Sequence, residues 1–308
     1  MHHFDAIEGI VRLRMAGRIA VAAAHDDHVL QSIWEVYRKG YAHPILIGDK
    51  EKIFAIADQL GIDVSTMTII KEMDERKSAE IAVTLVQNGE ADAIMKGLLQ
   101  TADLLRAVLE RDKGLRTTGL LSHIGLYEVD GYSKMLFVTD AGINIAPDLK
   151  QKVEIIRNAV FVARSLGVTT PKVAVLAAVE TVNPNMPSTL DAAALAKMGQ
   201  RGQIRDCVID GPLAMDNAIN LEAARHKHIT SEVAGDADIL LVPDIEAGNI
   251  LVKTLIFLNK ARSCGVITGA RVPLIVTSRA ESSEAKYYSI LLALAMLGQS
   301  DPERRGLS

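Results

Sequence analysis

From residue 18 onward the chain alternates short, continuously apolar runs with amphipathic stretches of helix length, and that alternation leaves it few ways to fold. Residues 18–24 (RIAVAAA) read as a strand, residues 29–39 as a helix ended by Gly40, residues 44–48 (PILIG) as a second strand, and residues 50–60 as a helix ended by Gly61. A run that is apolar throughout, rather than at alternate positions, suits a strand buried on both faces. A glycine just past a helix takes the left-handed conformation that closes the last turn without a Cβ clash. Residues 66–70 and 93–95 are further strand candidates. Repeated strand–helix–strand units need crossovers, and crossovers make neighbouring strands parallel. The expectation is an α/β protein with doubly wound, mostly parallel sheets.

The middle of the chain carries its own strand set at residues 121–127, 135–139, 172–176, 207–210, 239–242 and 265–268, and a last strand at 273–277 (PLIVT) precedes a helical tail over 283–297. A chain of 308 residues exceeds what one core usually holds, so two domains are expected. No linker or low-complexity tract separates them, and the boundary is placed near Thr117, where the pattern changes. Hydrophobic residues make up 49% of the chain but aromatics only 4%. Apolar mass of this small aliphatic kind packs helices onto a parallel sheet better than it fills an all-β sandwich.

A net charge of −4 gives no basic surplus for the phosphates of a nucleic acid. Local clusters of basic residues in a cleft could still hold a small anion. The two cysteines, Cys207 and Cys264, form neither a disulfide framework nor a zinc motif, and each reads as a small buried hydrophobe. The start (MHHFD) has no signal-peptide pattern, and no run approaches a membrane span. A reducing cytoplasm is the expected location, with no membrane and no nucleic acid as partners.

In open α/β sheets ligands bind beyond the carboxyl ends of strands, at the starts of the following helices. Three strand-to-helix junctions there are polar. In MKGLLQTADLLR, Lys96 ends a strand, Gly97 lets backbone approach closely, and Thr101 is placed to cap the helix carrying Arg106; a snorkelling lysine and a solvated arginine are the plainer alternative. In TSRAESSE, Thr277, Ser278 and the Arg279 fork suit an oxyanion, whereas Ser278 and Glu281 also fit a capping box. In VPDIEAGN, Asp244 and Asn249 stand at a turn that ordinary cap chemistry also explains. Asp140 and Asp210 are strand-end acids whose spacings match no metal motif, so structural or substrate-orienting roles are expected. The patterns GxxxxGKS/T, GxGxxG after a strand, GxSxG and HExxH are all absent. His226 and His228 read as a solvated surface pair, and His123 as a partly buried, satisfied histidine.

These residues also carry a resemblance. MKGLLQTADLLRAVL, SHIGLYEVDGYSKMLFVTDAGINIAPDLKQKVEI, AAVETVNPNMPSTLDAAALAKMGQRGQI, CVIDGPLAMDNAI, VAGDADILLVPDIEAGNILVKTL and VTSRAESSEAK together resemble the phosphate acetyltransferase/butyryltransferase family over essentially the whole chain, with VNPNMPSTLDAA and VIDGPLAMD closest to its butyryltransferase branch. The resemblance implies reversible transfer of a short acyl group, butyryl before acetyl, between coenzyme A and inorganic phosphate. It implies no cofactor and no metal beyond those two substrates, and a homo-oligomer joined through the second domain. It further implies the fold of the isocitrate/isopropylmalate dehydrogenases: domain I from residues 1–117 plus 271–308, domain II from 118–270, and a site in the cleft. Ser278, Arg279 and Arg106 match catalytic positions of the acetyltransferases. The position seven residues after Ser278, acidic in those enzymes, is Ala285 here, and Glu284 beside it becomes the candidate base for the thiol. Another functional arginine of the acetyltransferases falls in a region that is shortened here. Lys96, Thr101, Thr277, Asp244 and Asn249 are the expected substrate contacts. A dehydrogenase of related fold is the alternative from another class, and it lacks a recognisable nucleotide-binding loop and metal-binding Asp set here.

Overall fold

The computed structural model describes residues 3–278 and 281–298. The chain divides into two compact units, one of Asp5–Gly119 with Cys264–Ser308 and the other of Met1–Phe4 with Leu120–Ser263.

The first unit begins with α1 (Asp5–Arg12), β1 (Gly17–Ala22), α2 (Asp27–Arg38), β2 (Ala42–Gly48), α3 (Lys50–Leu60), β3 (Thr68–Lys71), α4 (Glu75–Gln87), β4 (Ala93–Lys96) and α5 (Thr101–Val108). Aspartates fix where three of these helices start. Asp26, Asp49 and Asp74 occupy the N-caps of α2, α3 and α4, and their carboxylates accept from first-turn amides. Such a cap stabilises a helix by about 1 kcal/mol. Gly61 ends α3 at φ 65°, the left-handed stop that the sequence pattern predicts.

The second unit contains β5 (Ser122–Glu128), β6 (Leu136–Thr139), α6 (Leu149–Ser165), β7 (Lys172–Leu176), α7 (Pro187–Gln200), β8 (Val208–Leu213), α8 (Met215–Ile219), α9 (Leu221–His226), β9 (Ile239–Leu241) and α10 (Ile245–Phe257). Then β10 (Arg262–Thr268) leads to β11 (Leu274–Ile275) and α11 (Ser283–Met296), which belong to the first unit.

Strands of the first unit run in the order β3-β2-β1-β4-β11-β10. All are parallel except β10, which is antiparallel to β11. Strands of the second unit run β5-β6-β9-β7-β8, with β5 antiparallel to β6 and the rest parallel. The two antiparallel pairs are joined by connections too short to hold a crossover helix, so the chain can only double back. The run at 265–268, grouped by its position in sequence with the middle strands, pairs with β11 of the first unit. The run at 273–277 keeps only two residues in the ladder, and the chain leaves the sheet before Thr277.

Burial follows the apolar runs. Every residue of β1 except Arg18 is buried, as is all of β4. From Ala285 to Met296 α11 is buried throughout, packed on α1 and α2. At the amino ends of β6, β7 and β9, Lys134 lies 2.8 Å from the carboxylates of both Asp236 and Asp238, and Lys172 lies 2.6 Å from Asp236. That polar cluster closes the end of the second unit's sheet opposite to the one where ligands are expected. Among the described residues, no helix is long and apolar enough to cross a membrane, and no group of three or more histidines, cysteines and acidic residues could hold a metal ion.

Candidate functional site

In the first unit the chain winds from β1 outward to β2 and β3, then returns to place β4 on the other side of β1. This reversal makes the carboxyl ends of β1 and β4 the switch point of the sheet, and β11 lies next to β4. The register pairs Ala22 with Lys96 and Ile275 with Met95, so the chain leaves all three strands at one level.

Gly97 follows β4 directly. Its amide donates to Ala22 O at 2.8 Å, and that of Leu98 donates to Ala23 O at 2.8 Å. A Cβ at position 97 would lie 2.2 Å from Ala23 O, so only glycine lets the two chains meet. Lys96 is 5% exposed, and its ammonium donates to the carbonyls of Gly97 at 3.1 Å and Leu99 at 3.2 Å. It therefore does not snorkel; it is folded under the turn that opens α5.

Thr101 is not the cap of α5. Gln100 takes the N-cap position in an extended conformation and makes no side-chain cap bond, and Thr101 is the first helical residue. Arg106 is turned back toward the helix start, with Nη1 2.6 Å from Asp103 Oδ1, and Arg76 of α4 shares that carboxylate at 3.1 Å.

Beyond β11, Thr277 is buried and Ser278 exposed. The capping box read at Ser278 and Glu281 does not form. Ser282 is the N-cap of α11, its hydroxyl accepting from the Ala285 amide at 3.2 Å, because the helix starts one turn later than that pattern implies. Ser278 is thus released from capping, and its carbonyl accepts from the Glu281 amide at 3.2 Å. Glu284 is exposed in the first turn of α11. Arg279 lies outside the described residues.

Two further side chains belong to this end of the sheet and escaped the sequence reading. His25 follows β1; its Nδ1 is buried without a hydrogen-bond partner against Gly48, and burial, then the Lys52 charge, lower its pKa. Lys286 is 2% exposed, and its ammonium reaches the carbonyls of Ser278 at 2.8 Å and Glu281 at 3.3 Å. The strand-end rule could have flagged His25. For Lys286 the signal was a lone charge opening the otherwise apolar run YYSILLALAM.

The remaining candidates lie in the second unit. Asp244 is the N-cap of α10, its carboxylate accepting from Ala247 N at 2.9 Å, and Asn249 is exposed on that helix. Asp140 caps its own turn, accepting from the amides of Gly142 and Ile143 at 2.9 Å. Asp210 accepts from the Gly211 amide at 2.8 Å. His123 departs from the expected satisfied histidine, since its Nδ1 is buried with no partner. His226 and His228 are exposed. Burial and the Asp206 charge push the Cys207 thiol up to about 12, so it stays protonated and unreactive near neutral pH.

The chain is thus an α/β protein whose first unit gathers glycine, hydroxyl and cationic groups at a sheet switch point. Residues 64–294 match the family described as phosphate acetyl/butaryl transferase. The chain is 46% identical over 295 residues to the phosphate butyryltransferase of Clostridium acetobutylicum, covering 96% of this chain and 98% of that one. It is 45% identical over 276 residues to the phosphate acetyltransferase of Thermotoga maritima, covering 90% and 94%. A crystal structure of a branched-chain phosphotransacylase from Enterococcus faecalis superposes with a TM-score of 0.80 at 31% identity, covering 92% of this chain and 99% of that one. A 4-hydroxythreonine-4-phosphate dehydrogenase from Burkholderia phymatum, at 15% identity and a TM-score of 0.51 over 92% of this chain and 97% of that one, shares the fold alone. The chain belongs to the phosphate acetyl/butaryl transferase family, and its fold is dehydrogenase-like.

Proposed function

We propose that the protein moves a short-chain acyl group, butyryl by preference, reversibly between coenzyme A and inorganic phosphate. The observation that carries this reading is the 46% identity to a phosphate butyryltransferase over nearly the full length of both chains. The acetyl reading is second, and rests on the 45% identity to a phosphate acetyltransferase. A phosphate oxygen attacks the thioester carbonyl, the carbon–sulfur bond breaks, and the thiolate leaves and takes up a proton; the reverse reaction runs through the same groups.

Arg279, Arg106 and the buried Lys96 hold the phosphate and offset charge as the carbonyl is attacked. Arg106 reaches it by exchanging its Asp103 contact for a ligand oxygen, and an exposed pair of that kind is worth only about 1 kcal/mol or less. Ser278 hydrogen-bonds the reacting carbonyl or thiol. The hydroxyls of Thr101 and Thr277 and the uncapped start of α5 add donors. A free thiol has a pKa of about 8.5, so the reverse direction needs a proton acceptor, a role assigned to Glu284. Asp244 is assigned to substrate binding, beyond its capping bond to Ala247 N. A dehydrogenase role receives no support from the family to which the chain belongs. A reducing cytoplasm suits a thiol product and two cysteines that form no disulfide; recovery with the cell envelope on fractionation would contradict it.

The test is phosphate-dependent release of free thiol from butyryl-CoA and acetyl-CoA. Release should be faster with butyryl-CoA. A strong acetyl preference selects the second reading, and no release with any short-chain acyl-CoA removes both.

A homo-oligomer is part of the same proposal, with a second copy seated on α10. Ile250 is 68% exposed and Phe257 69%. With Glu246 and Lys253 they form a stripe at spacings of four, three and four residues along one face of the helix. An antiparallel copy sets Glu246 against the copy's Lys253 on both sides of a two-fold axis, with Ile250 between them. Asn249, exposed beside this face, is assigned to substrate binding. Phe257→Glu with Ile250→Glu should halve the solution mass in sedimentation velocity; a monomeric wild type, or a double variant of unchanged mass, refutes the contact.

A further inference from the structure

Lys286 is a poor choice for the place it occupies unless it does something there. It is the only charged residue among the buried positions of α11. It stands in the first turn of that helix, where the unpaired amides give the macrodipole its positive end and a cation is disfavoured. It is 2% exposed, and an ammonium taken out of water is costly to keep charged. Burial accordingly lowers its pKa, opposed by the charges of Glu281, Asp26 and Asp27.

The hydrogen bonds show what the ammonium holds. It donates to Ser278 O at 2.8 Å and to Glu281 O at 3.3 Å, and the Glu281 amide also donates to Ser278 O at 3.2 Å. On the neighbouring strand Lys96 does the same for the turn after β4, through Gly97 O and Leu99 O. Two buried lysines thus hold backbone carbonyls beyond the ends of two adjacent strands.

We propose that Lys286 is a positioning residue: it ties down the backbone at Ser278 and at Glu281 so that Ser278 meets substrate in one geometry. The proposal rests on the acyl-transfer reading, and it assigns Lys286 no contact with substrate. A bond kept only for stability would show its loss as a lower melting temperature. A bond kept for geometry, on a residue the helix and the interior both disfavour, shows its loss in turnover.

The experiment compares wild type, Lys286→Met and Lys286→Gln by phosphate-dependent thiol release, thermal melting and amide hydrogen exchange over residues 277–282. Met fills nearly the same volume without charge or donors, whereas Gln keeps a shorter donor. Expected for Lys286→Met are a melting temperature equal to or above wild type, a kcat at least 10-fold lower, and faster exchange confined to the loop. Lys286→Gln should recover part of the kcat. Wild-type kcat together with wild-type exchange in the Met variant overturns the proposal, as does a lowered melting temperature with kcat unchanged. If the Met variant fails to fold, the Gln variant decides by the same two criteria. A wild-type protein with no thiol release refutes the acyl-transfer reading instead, and the exchange arm still tests the bracing.

Discussion

Arg279→Ala should lower kcat/KM for phosphate-dependent thiol release by roughly 10²–10³-fold, the range for losing one preorganised donor to a developing charge, with no change in melting temperature. In sequence Arg279 follows Ser278, after β11 ends at Ile275 and before α11 begins at Ser283. A role confined to holding substrate charge predicts that its removal is read in catalysis rather than in stability. Arg279→Lys separates charge from shape. A lysine keeps the charge but not the planar fork that meets two phosphate oxygens at once, so most of the loss should persist. Turnover near wild type in the alanine variant would remove Arg279 from the site; an equal drop in melting temperature would make it a structural residue.

Gly97→Ala should be among the most damaging single methyls in the first unit. The added carbon would sit 2.2 Å from Ala23 O, 2.7 Å from Ala22 O and 2.8 Å from Ala23 C, all of them backbone atoms at the end of a central strand. No rotamer change relieves such a clash, so β1 and β4 must separate where Gly97 N bonds Ala22 O. Overpacking in a core costs about 1–3 kcal/mol, and a clash confined to backbone should lie at or above the upper end. Denaturant unfolding should show it, together with loss of thiol release, because Lys96 and the start of α5 move with the turn. A variant as stable as wild type would mean that the chain can open here at little cost. Gly9→Ala is the control, since nothing lies within 4 Å of its Cβ position.

The elements were legible because they are periodic. Residues 50–60 and 172–176 read from the pattern are α3 and β7 as observed. Direction was less legible: β5 and β10 run antiparallel to β6 and β11 although their apolar runs look like those of the parallel strands, because composition reports burial and not orientation. At the site, the strand-end rule found Lys96 and Ser278 but misjudged how they are held. Whether a lysine snorkels or folds under a turn depends on carbonyl directions, and these follow from neighbouring strands rather than from adjacent residues. The start of the last helix at Ser283 was legible, but its cap was not, because TSRAESSE offers hydroxyls at several successive positions and local pattern cannot choose among them. Lys286 stayed hidden because a single charge in an apolar helix looks like an exposed position until packing on α1 and α2 is known.

The strand next to β4 is drawn from the far end of the chain: Leu274 and Ile275 pair with Ile94 and Met95. Seen as an event in time, the first unit is unfinished for most of its own synthesis. Its amino-terminal strands leave the ribosome with the β11 edge of β4 unpaired and with no α11 to cover α2, while all of Leu120–Ser263 is still to be made. A nascent chain in that state displays the unpaired strand edge and apolar surface that chaperones bind. The arrival of residues 264–296 supplies the strand that pairs with β4 and, three residues beyond it, Ser278. The β1–β4 switch point can form early, but a premature stop anywhere before β11 leaves β4 without its neighbour and the candidate site without Ser278 in one step.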